Sequence, residues 1–152
     1  MEQSLYDPYL EAKSSGIKVK LIDFKRINSL LVQSVVYLRK SMNKIEKRCS
    51  LTYELVHYSR GHLNVTGICE KHTLKEEDII RQETANRLIN GTRIYFLIES
   101  CSSMDVIARE LQVTKDVIYD YFKYCKAKPF ENKEFICENS SIATCKIPTG
   151  SC

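Results

Sequence analysis

The chain has 152 residues, 43% of them apolar and 28% charged, with no tryptophan and a formal net charge of +4. That length holds one domain with a real core, or a small domain and a tail, and the composition excludes wholesale disorder. No run approaches the roughly 18 to 20 consecutive apolar residues of a membrane span. Met1 to Pro8 carries acids and a proline where a signal peptide has a basic and then an apolar run. A soluble protein inside the cell, nuclear or otherwise and not secreted, is therefore expected.

Charge is unevenly spread along the chain. Residues 1–17 hold one basic and three acidic residues, 18–48 nine and two, and 49–152 thirteen and fourteen, giving nets of −2, +7 and −1. A basic segment this dense is either a solvated helix face or a surface for phosphate backbone or another acidic partner.

In chain order, residues 1–16 read as a flexible lead ending at Ser14-Ser15-Gly16, and Ile17 to Asp23 alternates apolar and polar as a short strand does. From Phe24 to Arg48 the spacing turns helical. Phe24, Asn28, Leu31, Val35, Leu38, Met42 and Ile45 recur at alternating intervals of four and three, a heptad seam on a long basic helix. Leu31, Val35, Leu38, Met42 and Ile45 are then either core or the interface to a partner chain, a second copy included. Residues 49–72 switch to a period of two. Leu51, Tyr53, Leu55 and His57 alternate with their neighbours, Ser59-Arg60-Gly61-His62 supplies turn chemistry, and Leu63 to Glu70 is rich in β-formers, so a β-hairpin is predicted. Thr73-Leu-Lys-Glu76 is a capping box for a helix to about Ile89, stopped by Asn90-Gly91, and another helix follows from Arg93 to about Cys101.

The most informative stretch is Ser103 to Phe122. Ser103 can cap a helix through Gln112, Val113-Thr114 makes a tight turn, and Thr114 can cap a second helix from Lys115 to about Lys126. Ile107, Ala108 and Leu111 give the first helix the surface a steep crossing needs, Val113 plugs the turn, and Val117, Ile118 and Tyr121 face back. This pattern resembles the helix-turn-helix of DNA-binding proteins, in the general style of regulator, sigma-factor and transposase domains. The family usually has glycine where Gln112 stands, so the turn takes another geometry or bears strain at a non-glycine residue. The resemblance implies that Thr114, Lys115, Asp116, Tyr119 and Lys123 meet base edges. Lys25, Arg26, Arg39, Lys40, Lys44, Lys47 and Arg48 would add phosphate contacts that ignore sequence.

Other chemistry is thinly represented. The seven cysteines are odd in number and irregularly spaced, which reads as mostly reduced thiols. Cys49, His57, His62, Cys69 and His72 surround the predicted hairpin, but only Cys69 and His72 form a close pair, so no metal is expected. There is no glycine-rich phosphate loop, Rossmann fingerprint or His-Glu-x-x-His, and no cofactor or enzyme activity is expected. The whole predicts a mainly helical α+β domain over residues 17–128, with the helix-turn-helix at 103–126 and a flexible tail at 129–152. It comprises a long basic helix, one β-hairpin and four further helices. The expected function is a small DNA-binding protein or accessory subunit of a larger nuclear complex; the alternative is a non-catalytic subunit whose helices pack on another chain without touching DNA. No membrane is expected as a partner.

Overall fold

The computed structural model describes residues 5–62, 74–100 and 103–124. It is α+β and mainly helical. In order come α1 (Pro8–Ser14), β1 (Lys18–Ile22), β2 (Ser29–Val32), β3 (Val35–Arg39), α2 (Lys44–Ser59), α3 (Leu74–Leu88), α4 (Gly91–Ser100), α5 (Met104–Leu111) and α6 (Lys115–Tyr124). Among the described residues no helix is long and apolar enough to cross a membrane.

The N-terminal lead is folded from Pro8 onward. Asp7 caps α1 by accepting from the Tyr9 N–H, and Pro8 stands where a missing N–H costs nothing. Ala12 and Ile17 then enter the core. The strand expected at Ile17 to Asp23 is present as β1.

The long basic helix at 24–48 is not formed. Its residues make β2, β3 and only the first turn of α2. Leu30-Leu31-Val32 and Val35-Val36-Tyr37-Leu38 are runs of good strand formers, and Gln33, at φ 53°, makes the turn of a two-residue hairpin between them. The sheet order is β1-β3-β2, with β1 parallel and β2 antiparallel to β3. The supposed seam was two periodicities laid over each other. Leu31, Leu38 and Met42 are buried within one core, Val35 is half-buried on β3 and Ile45 half-buried on α2, so the five do not form one partner interface.

The hairpin predicted at 49–72 is a second correction. Residues 44–59 are the helix α2, opened by a capping box in which Asn43 accepts from the Glu46 N–H and Glu46 accepts from the Asn43 N–H. Arg48, Cys49, Leu51, Thr52 and Glu54 to His57 are all buried, so the helix has almost no wet face and no helical alternation to betray it. The predicted second strand at 63–70 and the capping residue Thr73 lie outside the described residues, as does the tail at 129–152.

Two apolar clusters flank α2. One joins Ala12, Ile17 and the sheet's Leu31, Val36 and Leu38 to Leu51 and Leu55. The other gathers α3 to α6 around Ile94, Ile107, Leu111 and Ile118, with Cys49 reaching in from α2. The four C-terminal helices follow the predicted order, with α3 and α4 meeting at Asn90, whose side chain accepts from the Arg93 N–H. Ser103 precedes α5 without making a side-chain cap bond, contrary to its expected role.

Candidate functional site

The α5–α6 pair joins through Gln112, Val113 and Thr114. Gln112 is left-handed (φ 53°, ψ 45°), so the turn keeps the geometry that favours glycine and bears the strain at glutamine. The Val113 N–H donates to the Ala108 carbonyl, and Val113 plugs the core.

The expected DNA-facing residues divide. Thr114, Lys115, Asp116 and Tyr119 reach the surface to differing degrees, but Lys115 is bridged to Asp105 at 2.6 Å. Lys123 is bridged to Asp78 of α3 at 2.9 Å, and Asp120 lies 3.9 Å from Arg81 of the same helix. Burial raises the Asp120 carboxyl, with Arg81 opposing and Asp116 adding to the rise. The side of α6 carrying Asp120 and Lys123 is thus turned to α3.

The basic residues of 18–48 are also redistributed. Lys25, Arg26, Lys40 and Lys44 are exposed and Arg39 and Lys47 half-buried. Arg48 is not a surface cation. It is 7% exposed and donates to the Gln112 carbonyl at 2.8 Å and the Tyr6 carbonyl at 2.9 Å, bracing the turn and the N-terminal lead against α2. Burial lowers its pKa. Beside it is a cleft of about 520 Å³, lined by Tyr6, Tyr9, Lys44, Arg48 and Arg109 among others and by no residue of the polar cluster described next.

That cluster lies on α2 and α3, and the sequence motifs missed it. Glu54 is 6% exposed. Its carboxylate accepts from the Ser29 hydroxyl at 2.7 Å and is also hydrogen-bonded by the backbone of Leu31, at the side of β2 that pairs with no other strand among the described residues. Burial outweighs these bonds and, helped by the nearby Glu77 carboxylate, pushes Glu54 up to about 7. Tyr53 donates its hydroxyl to both oxygens of Glu77, at 2.8 and 2.9 Å, and burial together with that carboxylate raises its pKa. His57, one turn on and 7% exposed, meets Tyr53 edge to face at 4.6 Å between ring centres. His62 stands 5.6 Å beyond His57. Arg81 closes the group with a 2.9 Å bond to Glu77.

Glu77, the Tyr53 phenol, Arg81 and the His57 ring thus form one bonded and stacked group, and Glu54 stands next to Tyr53 on α2 with its carboxyl raised by burial into the range suited to proton transfer near neutrality. The segment Tyr53-Glu54-Leu55-Val56-His57 has the Glu-x-x-His spacing on a helix, with tyrosine where a first histidine would complete His-Glu-x-x-His. That partial match was the available signal, obscured by the strand reading of the segment. Among the described residues no three His, Cys, Asp or Glu side chains are placed to hold a metal ion. Of the residues weighed as zinc ligands, Cys69 and His72 lie outside the described residues, and Cys49 is buried beside Thr114 with its thiol pKa raised by burial. Comparison with models of known protein families gives no match, and comparison with curated proteins gives none either.

Proposed function

We propose that the chain is a hydrolase acting on an extended peptide, with Glu54 as general base. The observation that carries this reading is the burial of the Glu54 carboxyl against Ser29, beside the side of β2 that is unpaired among the described residues, a burial that raises its pKa to about 7. An extended peptide bound across that edge, where Glu54 already takes the Leu31 backbone donor, brings an amide to Glu54. Glu54 takes a proton from the attacking water and returns it to the leaving nitrogen, and its raised pKa suits both steps. Tyr53, whose one hydroxyl proton goes to Glu77, packs its ring against His57 and is held in place by Glu77 with Arg81; in this reading the His57 imidazole is the group that steadies charge developing on the amide oxygen.

The test is incubation of the full chain with a mixed peptide library, with cleavage read by mass spectrometry. Cleavage should fall at least a hundredfold in Glu54→Gln while the fold is kept. Equal cleavage by parent and variant, or none by the parent, refutes the reading.

A second reading is duplex DNA binding through α5 and α6. It is favoured by the three-residue turn with left-handed Gln112 and by Thr114, Lys115, Asp116 and Tyr119 reaching the surface at the start of α6. With it go a nuclear or other intracellular address and membership of a larger assembly. Binding to a random duplex should weaken steeply with salt and be lost in a Lys115→Glu, Tyr119→Ala double variant, which leaves the Lys123–Asp78 bridge to α3 in place. Absence of binding at low salt removes this reading.

A further inference from the structure

The pleat sorts the sheet into two unlike faces. Side chains alternate along each strand, and the register places Leu31, Val36 and Val19 in one row on the α2 side, next to Leu38. The opposite face carries the rows Lys18–Val35–Val32 and Lys20–Tyr37–Leu30, with Ile22 beside Arg39. Leu31, Val36 and Leu38 on the inner face are at most 2% exposed, whereas no residue of those outer rows is buried.

The outer face is also electrostatically one-sided. Lys18, Lys20 and Arg39 lie on it, and Lys25, Arg26 and Lys40 lie in the loops at one end. Among the described residues none of the six is in an ion pair. Of the two acids in residues 18–48, Glu46 is engaged by the Asn43 N–H and Asp23 pairs with none of these cations. Tyr37 occupies the central strand between Lys20 and Leu30.

We propose that this outer face binds single-stranded nucleic acid, its bases stacking on Tyr37 and its phosphates held by Lys18, Lys20 and Arg39. A strip of apolar and aromatic surface edged with unneutralised cations matches unstacked bases linked by phosphates. A duplex offers such a face only its phosphates, because its bases are stacked out of reach. The inference depends neither on Glu54 nor on α6.

The test is fluorescence anisotropy of a labelled oligothymidylate of about twelve nucleotides, titrated with the full chain across a salt series. Affinity should fall with salt at a log–log slope of roughly −2, as three single-strand phosphate contacts require. Tyr37→Ala should weaken binding about tenfold or more, while Tyr37→Phe, which keeps the ring, binds like the parent. Lys18→Gln with Lys20→Gln, both exposed, should flatten the slope. Absence of binding at low salt overturns the proposal. So does indifference to the lysine pair, or tighter binding to duplex or to vesicles of anionic lipid than to the single strand.

Discussion

Glu54 sets the direction of a pH dependence. Its folded-state pKa of about 7 exceeds the ordinary 4.5, so between those values the folded chain holds a proton that the unfolded chain releases. Stability therefore falls as pH rises from about 4.5 to 7, by on the order of 3 kcal/mol if the whole shift is expressed. Glu54→Gln, uncharged throughout, should flatten that part of the profile. Urea midpoints measured from pH 5 to 8 check this, and parallel profiles for parent and variant count against it. Tyr53 marks another contingency at this scale. Tyr53→His places two imidazoles one helical turn apart opposite Glu77, so the variant should retain about one zinc per chain after dialysis, more than the parent. Equal zinc content in both would show that the spacing alone does not make the site. Neither residue stood out in the sequence, since a motif search stops at Tyr53 and a carboxyl's burial becomes visible only once the strand beside it is placed. At Gln112 the sequence left two outcomes, another turn geometry or strain at a non-glycine residue, and the left-handed backbone decides for the second.

Individual elements were legible where both their ends were marked. Asn90-Gly91 and Ser102-Ser103 punctuate the C-terminal helices, and their apolar faces are one-sided, so their bounds fall close to expectation. β2, β3 and α2 failed for opposite reasons. A hairpin turning through Gln33-Ser34 carries no glycine to announce it, and a helix buried on nearly every side mimics a strand. Arg48 links these elements, and its loss has a definite cost. Arg48→Met strips both the Gln112 and Tyr6 carbonyls of their donor and should destabilise by about 2–4 kcal/mol. A chemical denaturation series resolves a loss of that size, and one below 0.5 kcal/mol would mean water replaces the guanidinium. Conversely, Gln112→Gly relieves the left-handed strain and should gain about 1 kcal/mol. A melting temperature that drops would show that the glutamine side chain contributes more than the strain removes.

The fold class of the whole molecule was legible even though two elements were exchanged. A helix expected at 24–48 and a hairpin at 49–72 became a hairpin followed by a helix, leaving the balance of helix and sheet little changed. The +7 net charge of residues 18–48 was read correctly as a density but assigned to the wrong scaffold, moving from a helix to a sheet and its loops. Both apolar clusters close on α2, so the chain should unfold in one transition. Leu55→Ala, in the sheet-side cluster, and Ile107→Ala, in the helical one, should each shift the entire curve by about 2–5 kcal/mol. Two separate transitions by circular dichroism and tyrosine fluorescence would reveal two independent units instead.

The near absence of a wet face on α2 also bears on how this chain can change over generations. From Arg48 to His57, eight of ten positions are buried, and the half-buried Tyr53 is held by Glu77. Drift has little room there, while the exposed positions of α4 and the outer sheet face can vary with far less penalty to folding. A saturation library selected only for folded protein should be most depleted across this decapeptide. Any divergent copy that keeps the architecture is expected to be recognisable first by these ten residues.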